Sequence, residues 1–194
     1  MSPRFVSLAC AGVLLSLAAC HRERAPLQGQ RISLDSIGSG EEQPLPSPDT
    51  KGAAWAVSGN GQAIDFGQPG QKPFLTLGCN VKTDPAQVTI VRHAPARPGE
   101  KALFPVISNS INSRFRVDAV LRDHEWRWEG TLPADDSQLD VFEGGQFEAT
   151  LPGGGTLKVA ASRVPGQFIE WCRNRGQGAA IATPQNDEAA KPAA

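Results

Sequence analysis

At 194 residues the chain has room for one domain once targeting and tail segments are set aside. Thirteen Arg and six Lys face 20 acidic residues for a formal charge of -1, which excludes a charge-driven attraction to nucleic acid or anionic lipid. Gly 20 and Pro 16, with no Tyr and one Met, point to turns and short elements rather than long helices.

Residues 1–20 read MSPRFVSLACAGVLLSLAAC: one Arg at position 4, an apolar run from Phe5 to Ala19, then a small-residue junction. That is the layout of a secretory signal, and the apolar run is short for a permanent membrane span. Its end, Leu17-Ala18-Ala19-Cys20, resembles the lipobox of bacterial lipoprotein precursors. The resemblance implies cleavage after Ala19 and acyl chains on Cys20, so that the membrane is the first partner. At about 0.8 kcal/mol per buried methylene, several chains make a stable anchor. By the same analogy His21, standing where an Asp favours inner-membrane retention, implies an outer-membrane destination facing the periplasm.

Residues 20–52 lack sustained periodicity and are rich in Pro, Ser, Gly and charge, the composition of a tether. About 32 flexible residues place a following domain on the order of 30 Å from the membrane. Residues 53–175 form the expected domain, and residues 176–194, made of Ala, Gly, Pro and polar residues, the expected tail.

Within the domain, apolar residues recur at period 2. WAVSGNGQAIDFG reads as a hairpin around Gly59-Asn60-Gly61, followed by strands near 74–79, 87–93 and 103–108. Residues 113–122, SRFRVDAVLR, place Phe115, Val117, Ala119 and Leu121 on one face and Arg114, Arg116, Asp118 and Arg122 on the other. EWRWEGTL repeats the alternation with Trp126 and Trp128. QFEATLPGGGTLKVAAS reads as two strands around a Gly-rich turn. The last element differs: Ser162 or Pro165 opens a helix whose Phe168, Ile169 and Cys172 share a side and which Gly176 stops. The expectation is a mainly β fold, an antiparallel β-sandwich or partly open barrel with one short C-terminal helix.

Of the four Cys, Cys10 leaves with the signal and Cys20 takes lipid, which leaves Cys79 and Cys172 to pair as a disulfide in an oxidising compartment. No C-x-x-C is present to support redox catalysis.

VRHA, residues 91–94, resembles the segment that carries Arg and a nucleophilic His in the histidine phosphatase superfamily. That resemblance implies a phosphate pocket built from Arg92, His93, a second Arg, a second His and an acid. Apart from His21 in the tether, only His124 remains as the second His, 31 residues on, and the alternating helices of that α/β fold are missing from the pattern. The favoured reading is a buried strand of Val88, Ile90 and Val91 that ends at Arg92 and His93. DHEWRW lacks the second His of a zinc helix, the Gly-rich stretches lack a P-loop pattern, and Asp135-Asp136 reads as a turn, so no metal or cofactor is expected. Arg114, Arg116, Arg122 and Arg127 line one sheet face, which Asp118, Asp123, Glu125 and Glu129 are placed to neutralise, with Trp126 or Trp128 as a flat ring for a sugar or peptide.

These readings add up to a lipid-anchored lipoprotein with a non-catalytic binding or structural β domain, whose partner is a periplasmic protein or cell-wall ligand and not nucleic acid. The alternative is a periplasmic phosphatase-like hydrolase that uses Arg92 and His93.

Overall fold

A computed structural model describes residues 45–58, 61–109 and 111–177. The expected leader, Cys20, the expected tether as far as residue 44 and the expected tail from residue 178 lie outside the described residues.

The strands are β1 (Ala54–Ser58), β2 (Ala63–Gly67), β3 (Leu75–Asn80), β4 (Gln87–Arg92), β5 (Lys101–Ser108), β6 (Ile111–Arg122), β7 (Glu125–Pro133), β8 (Phe147–Leu151) and β9 (Gly155–Val159). A 3-10 helix, Ser137–Phe142, lies between β7 and β8, and α1, Val164–Arg173, ends the domain. The strands form one nine-stranded sheet in the order β1-β2-β3-β4-β7-β6-β5-β8-β9, every neighbour antiparallel. It is a mainly β fold with one short C-terminal helix, sandwich-like and not closed into a barrel.

Tight turns set much of this order. Arg122 pairs with Glu125, so Asp123 and His124 are a two-residue hairpin turn, and both adopt positive φ (50° and 67°). Such a turn matches the twist of the strands it joins. The Gly-rich turn after β8 closes Leu151 on Gly155, with φ of 75° at Gly153.

The sheet forks in its middle. β4 pairs with β7 over Gln87–Arg92 and Trp128–Pro133, and β5 pairs with β6 over Lys101–Ser108 and Ile111–Asp118. Between β6 and β7, however, pairing covers only Asp118–Arg122 against Glu125–Glu129. Val117 and Gly130 mark the point beyond which the two strands belong to separate arms. Gly130 sits in the crotch: a Cβ there would meet the Arg116 carbonyl oxygen at 2.4 Å.

The inner faces of both arms share a single core. Ile64, Phe66, Leu75, Leu77, Val88 and Ile90 from one arm join Phe104, Val106, Phe115, Ala149, Leu151 and Leu157 from the other. Each is an alternate residue of its strand, which is why a one-residue slip would expel the whole set. The 3-10 helix adds Leu139, Val141 and Phe142, with Phe142 stacked on Phe115 (centroids 5.7 Å apart). Asp136 caps it, its carboxylate accepting the Gln138 amide at 2.9 Å.

Phe168, Ile169 and Cys172 of α1 are fully buried. Pro165 lies in the first turn, and Gly176, at φ 77°, donates its amide to the Trp171 carbonyl to end the helix. Arg173 fastens the helix end, donating to Asp140, Glu143 and the Ala134 carbonyl. The sulfurs of Cys79 on β3 and Cys172 on α1 are 2.00 Å apart, at disulfide distance, with Cα atoms separated by 5.8 Å. Residues 45–52, expected as tether, lie against the domain: Leu45 donates its amide to the Gly153 carbonyl, the Ser47 hydroxyl accepts from the Thr156 amide, and the Gln68 side-chain amide donates to the Lys51 carbonyl at 3.0 Å and the Asp49 carbonyl at 3.5 Å.

Candidate functional site

Arg92 and His93 stand at the end of β4, as the sequence suggests, and Val88, Ile90 and Val91 before them are buried. Strand parity sends the Arg92 side chain inward with Val88 and Ile90, where the residue is only 3 % exposed. Its Nη1 donates to the carbonyls of Phe74 (2.9 Å) and His93 (3.3 Å), and its Nη2 to that of Gly154 (3.5 Å). No carboxylate balances it among the described residues, and burial pulls the guanidinium down to about 10. Arg92 therefore bolts β4 to the β8–β9 turn.

His93 faces another way. Its Nε2 lies 2.8 Å from the Thr76 hydroxyl, which in turn lies 2.5 Å from Asp65 Oδ1. A carboxylate only accepts, so the single hydroxyl proton of Thr76 goes to Asp65, and Thr76 Oγ1 must then accept from Nε2–H. The chain Asp65–Thr76–His93, running from β2 across β3 to the residue that follows β4, thus selects one neutral tautomer and leaves Nδ1 as the bare acceptor, buried without a partner. Burial, then the cations of Arg127, Lys72 and Arg92, push the imidazole down to about 4, with Asp65 opposing them.

The ring borders a shallow depression of about 320 Å³ with Lys72, Pro95, Glu125 and Trp126. Lys72 and Glu125 form an ion pair at its rim, which holds the Glu125 carboxylate below its usual range. Arg92 is not part of this lining. His124 sits exposed in the β6–β7 turn. Among the described residues, no group of three or more His, Cys, Asp or Glu side chains is placed to hold a metal ion.

The cationic face divides in two. Arg127 and Arg122 both reach Glu129, at 2.8 and 3.6 Å, and Lys101 pairs with Asp118 at 2.9 Å. Glu125 belongs to Lys72. Arg114 and Arg116 are left exposed with no carboxylate partner among the described residues. Both border a cleft of about 440 Å³ in the fork between β6 and β7, together with Leu103, Thr131, Leu132 and Gln138. Of the two Trp on β7, Trp128 is buried and donates Nε1–H to the Pro95 carbonyl at 3.0 Å, while Trp126 is half-buried at the His93 depression.

The cleft depends on a feature the strand pattern does not carry, the loss of pairing beyond Asp118 and Glu129. Asp65 and Thr76 were likewise legible only as polar positions of alternating strands. The nearest available signal was the pair of polar residues at facing positions of neighbouring strands, Asp65 opposite Thr76. Set against protein-family models, curated protein sequences and solved structures, the chain matches none.

Proposed function

We propose that the chain is a lipid-anchored protein of the bacterial envelope whose β domain is a non-catalytic binding or structural module, held by acyl chains on Cys20 to the outer membrane and facing a periplasmic protein or cell-wall ligand. The observation that carries this reading is the Cys79–Cys172 pair at disulfide distance in a chain that opens with a lipobox-like segment. Cytosolic thiols stay reduced, so a structural crosslink and an export signal support the same compartment. The non-catalytic part is supported by Arg92: three of its hydrogen bonds go to backbone carbonyls, and its guanidinium does not join His93 at the depression.

The test is metabolic labelling with an alkyne fatty acid, followed by mass spectrometry of the mature N-terminus. Wild-type protein is expected to begin at an acylated Cys20, and Cys20→Ala to lose both label and processing. A leader that stays attached, or an unmodified thiol at position 20, overturns the placement. The hydrolase alternative predicts phosphomonoester turnover by the purified protein that His93→Ala abolishes while its melting curve stays cooperative; we expect no turnover above background in either protein.

A further inference from the structure

We propose that the fork between β6 and β7 is a docking cleft for an extended segment of a partner protein that carries acidic side chains at alternate positions. Three observations, independent of the lipid anchor, lead there. Arg114 and Arg116 are exposed cations without a carboxylate among the described residues, whereas Lys101, Arg122 and Arg127 beside them are all paired. They stand two residues apart on one strand, and so share a face about 6.5–7 Å from each other, the same repeat that separates alternate side chains of an extended partner. Finally, the β6 residues on this side of the fork pair with β5 alone, and those of β7 with β4 alone, so the cleft floor is not spanned by a continuous ladder.

The rest of the lining fits a peptide better than a phosphate polymer or a bilayer. Leu103, 52 % exposed, and Leu132 offer apolar contact to the residues between the acids. The exposed Gln138 offers a side-chain amide that both donates and accepts, as a peptide backbone requires, and Thr131, whose hydroxyl lies 3.2 Å from that of Thr89, keeps lone-pair capacity to accept. A membrane surface recruits through clusters of about 4–8 cations on a continuous patch, and here two lie in a concave site. Each Arg can take a carboxylate through two parallel N–H···O bonds, which gives geometry as well as attraction.

The test uses the full chain, as processed by the cell that produces it and kept in a neutral detergent. The probe is a dye-labelled octapeptide of alternating Glu and Val, and the control is an octapeptide of the same composition with its four Glu contiguous. Fluorescence anisotropy is expected to show binding of the alternating probe that weakens about tenfold or more in Arg114→Gln/Arg116→Gln, with the contiguous probe at least several-fold weaker. Because both Arg are exposed, the double variant should melt with wild type, and Arg122→Gln, which removes a paired cation nearby, should leave binding unchanged. Equal affinity for the two spacings, or affinity untouched by the double variant, overturns the proposal. So does binding to phosphatidylglycerol vesicles that the double variant loses while neither peptide binds, since that would make the partner a membrane.

Discussion

Removing the link between Cys79 and Cys172 should cost this domain a large part of its stability without displacing the helix it holds. The two residues are 93 apart in sequence. In the chain-entropy picture, a crosslink closing a loop of that length destabilises the unfolded state by about 4.7 kcal/mol at 25 °C, an upper figure that strain in the fold would reduce. For a domain of about 130 residues, that corresponds to a fall of roughly 15–20 °C in Tm. The helix itself should stay docked. Phe168 and Ile169 are fully buried, each contributing roughly 1.5–3 kcal/mol by burial, and Arg173 bonds Asp140 and Glu143, contacts in which the sulfurs take no part. Calorimetry of Cys79→Ala, Cys172→Ala and the double variant, with far-UV circular dichroism at 20 °C, separates the two effects. All three should melt at similarly lowered temperatures, because each breaks the same link, and all should keep the wild-type spectrum before melting. If oxidised and thiol-reduced wild type melt together, or if the double variant loses the sum of the two singles, the crosslink is not acting through the unfolded chain and the reasoning fails.

Two other sites give sharp expectations. Gly130→Ala places a methyl 2.4 Å from the Arg116 carbonyl oxygen and 3.1 Å from Val117 Cγ1, so it should destabilise the fold by about 1–3 kcal/mol in urea titration, whereas alanine at Gly70, where nothing lies within 4 Å, should cost only the strain of its positive φ. His93 should stay neutral down to about pH 4, which an NMR titration of its ring protons reads directly. Since its folded value lies below the ordinary 6.5, the unfolded chain binds the extra proton between the two, and the His93 contribution to stability is present above about pH 6.5 and is lost as the pH falls toward about 4. His93→Gln should flatten that slope; a ring titrating near 6.5 would refute the burial argument.

How much of this was legible in the sequence depends on which physical rule each feature obeys. Period-2 alternation is enforced by the pleat, so Phe115 and Val117 on β6, and Leu157 and Val159 on β9, could be assigned to a buried face before any fold was known. The helix showed itself through Pro165 and Gly176, whose backbone preferences are local. The 3-10 helix at Ser137–Phe142 did not: six residues give too little periodicity, and Leu139, Val141 and Phe142 read equally well as strand. Arg92 is the converse case. Its place at the end of an apolar run was readable, but the carbonyls that its Nη1 and Nη2 reach belong to Phe74 and Gly154, 18 and 62 residues away, only the folded sheet brings them together, and its buried Nε is left without a partner.

The cationic face shows why charge patterns alone underdetermine a surface. Along β6 and β7, Arg and acid are interspersed so that neutralisation across the strands is the natural expectation, and where the strands are paired Arg122 of β6 does meet Glu129 of β7, while Arg127 meets the same carboxylate along β7 itself. Arg114 and Arg116 escape it because register, not composition, decides which charges face each other. Past Asp118 and Glu129 the ladder between β6 and β7 stops, and on β5 the residues opposite Arg114 and Arg116 are Pro105 and Leu103, neither of which can accept a hydrogen bond from a side chain through its own. The turn at Asp123-His124 fixes that register, and Gly130 allows the strands to stay close to the crotch of the fork. Two unneutralised Arg are thus a consequence of where pairing ends, and an acidic ligand that satisfied them would be reading the topology of the sheet rather than the net charge of the chain.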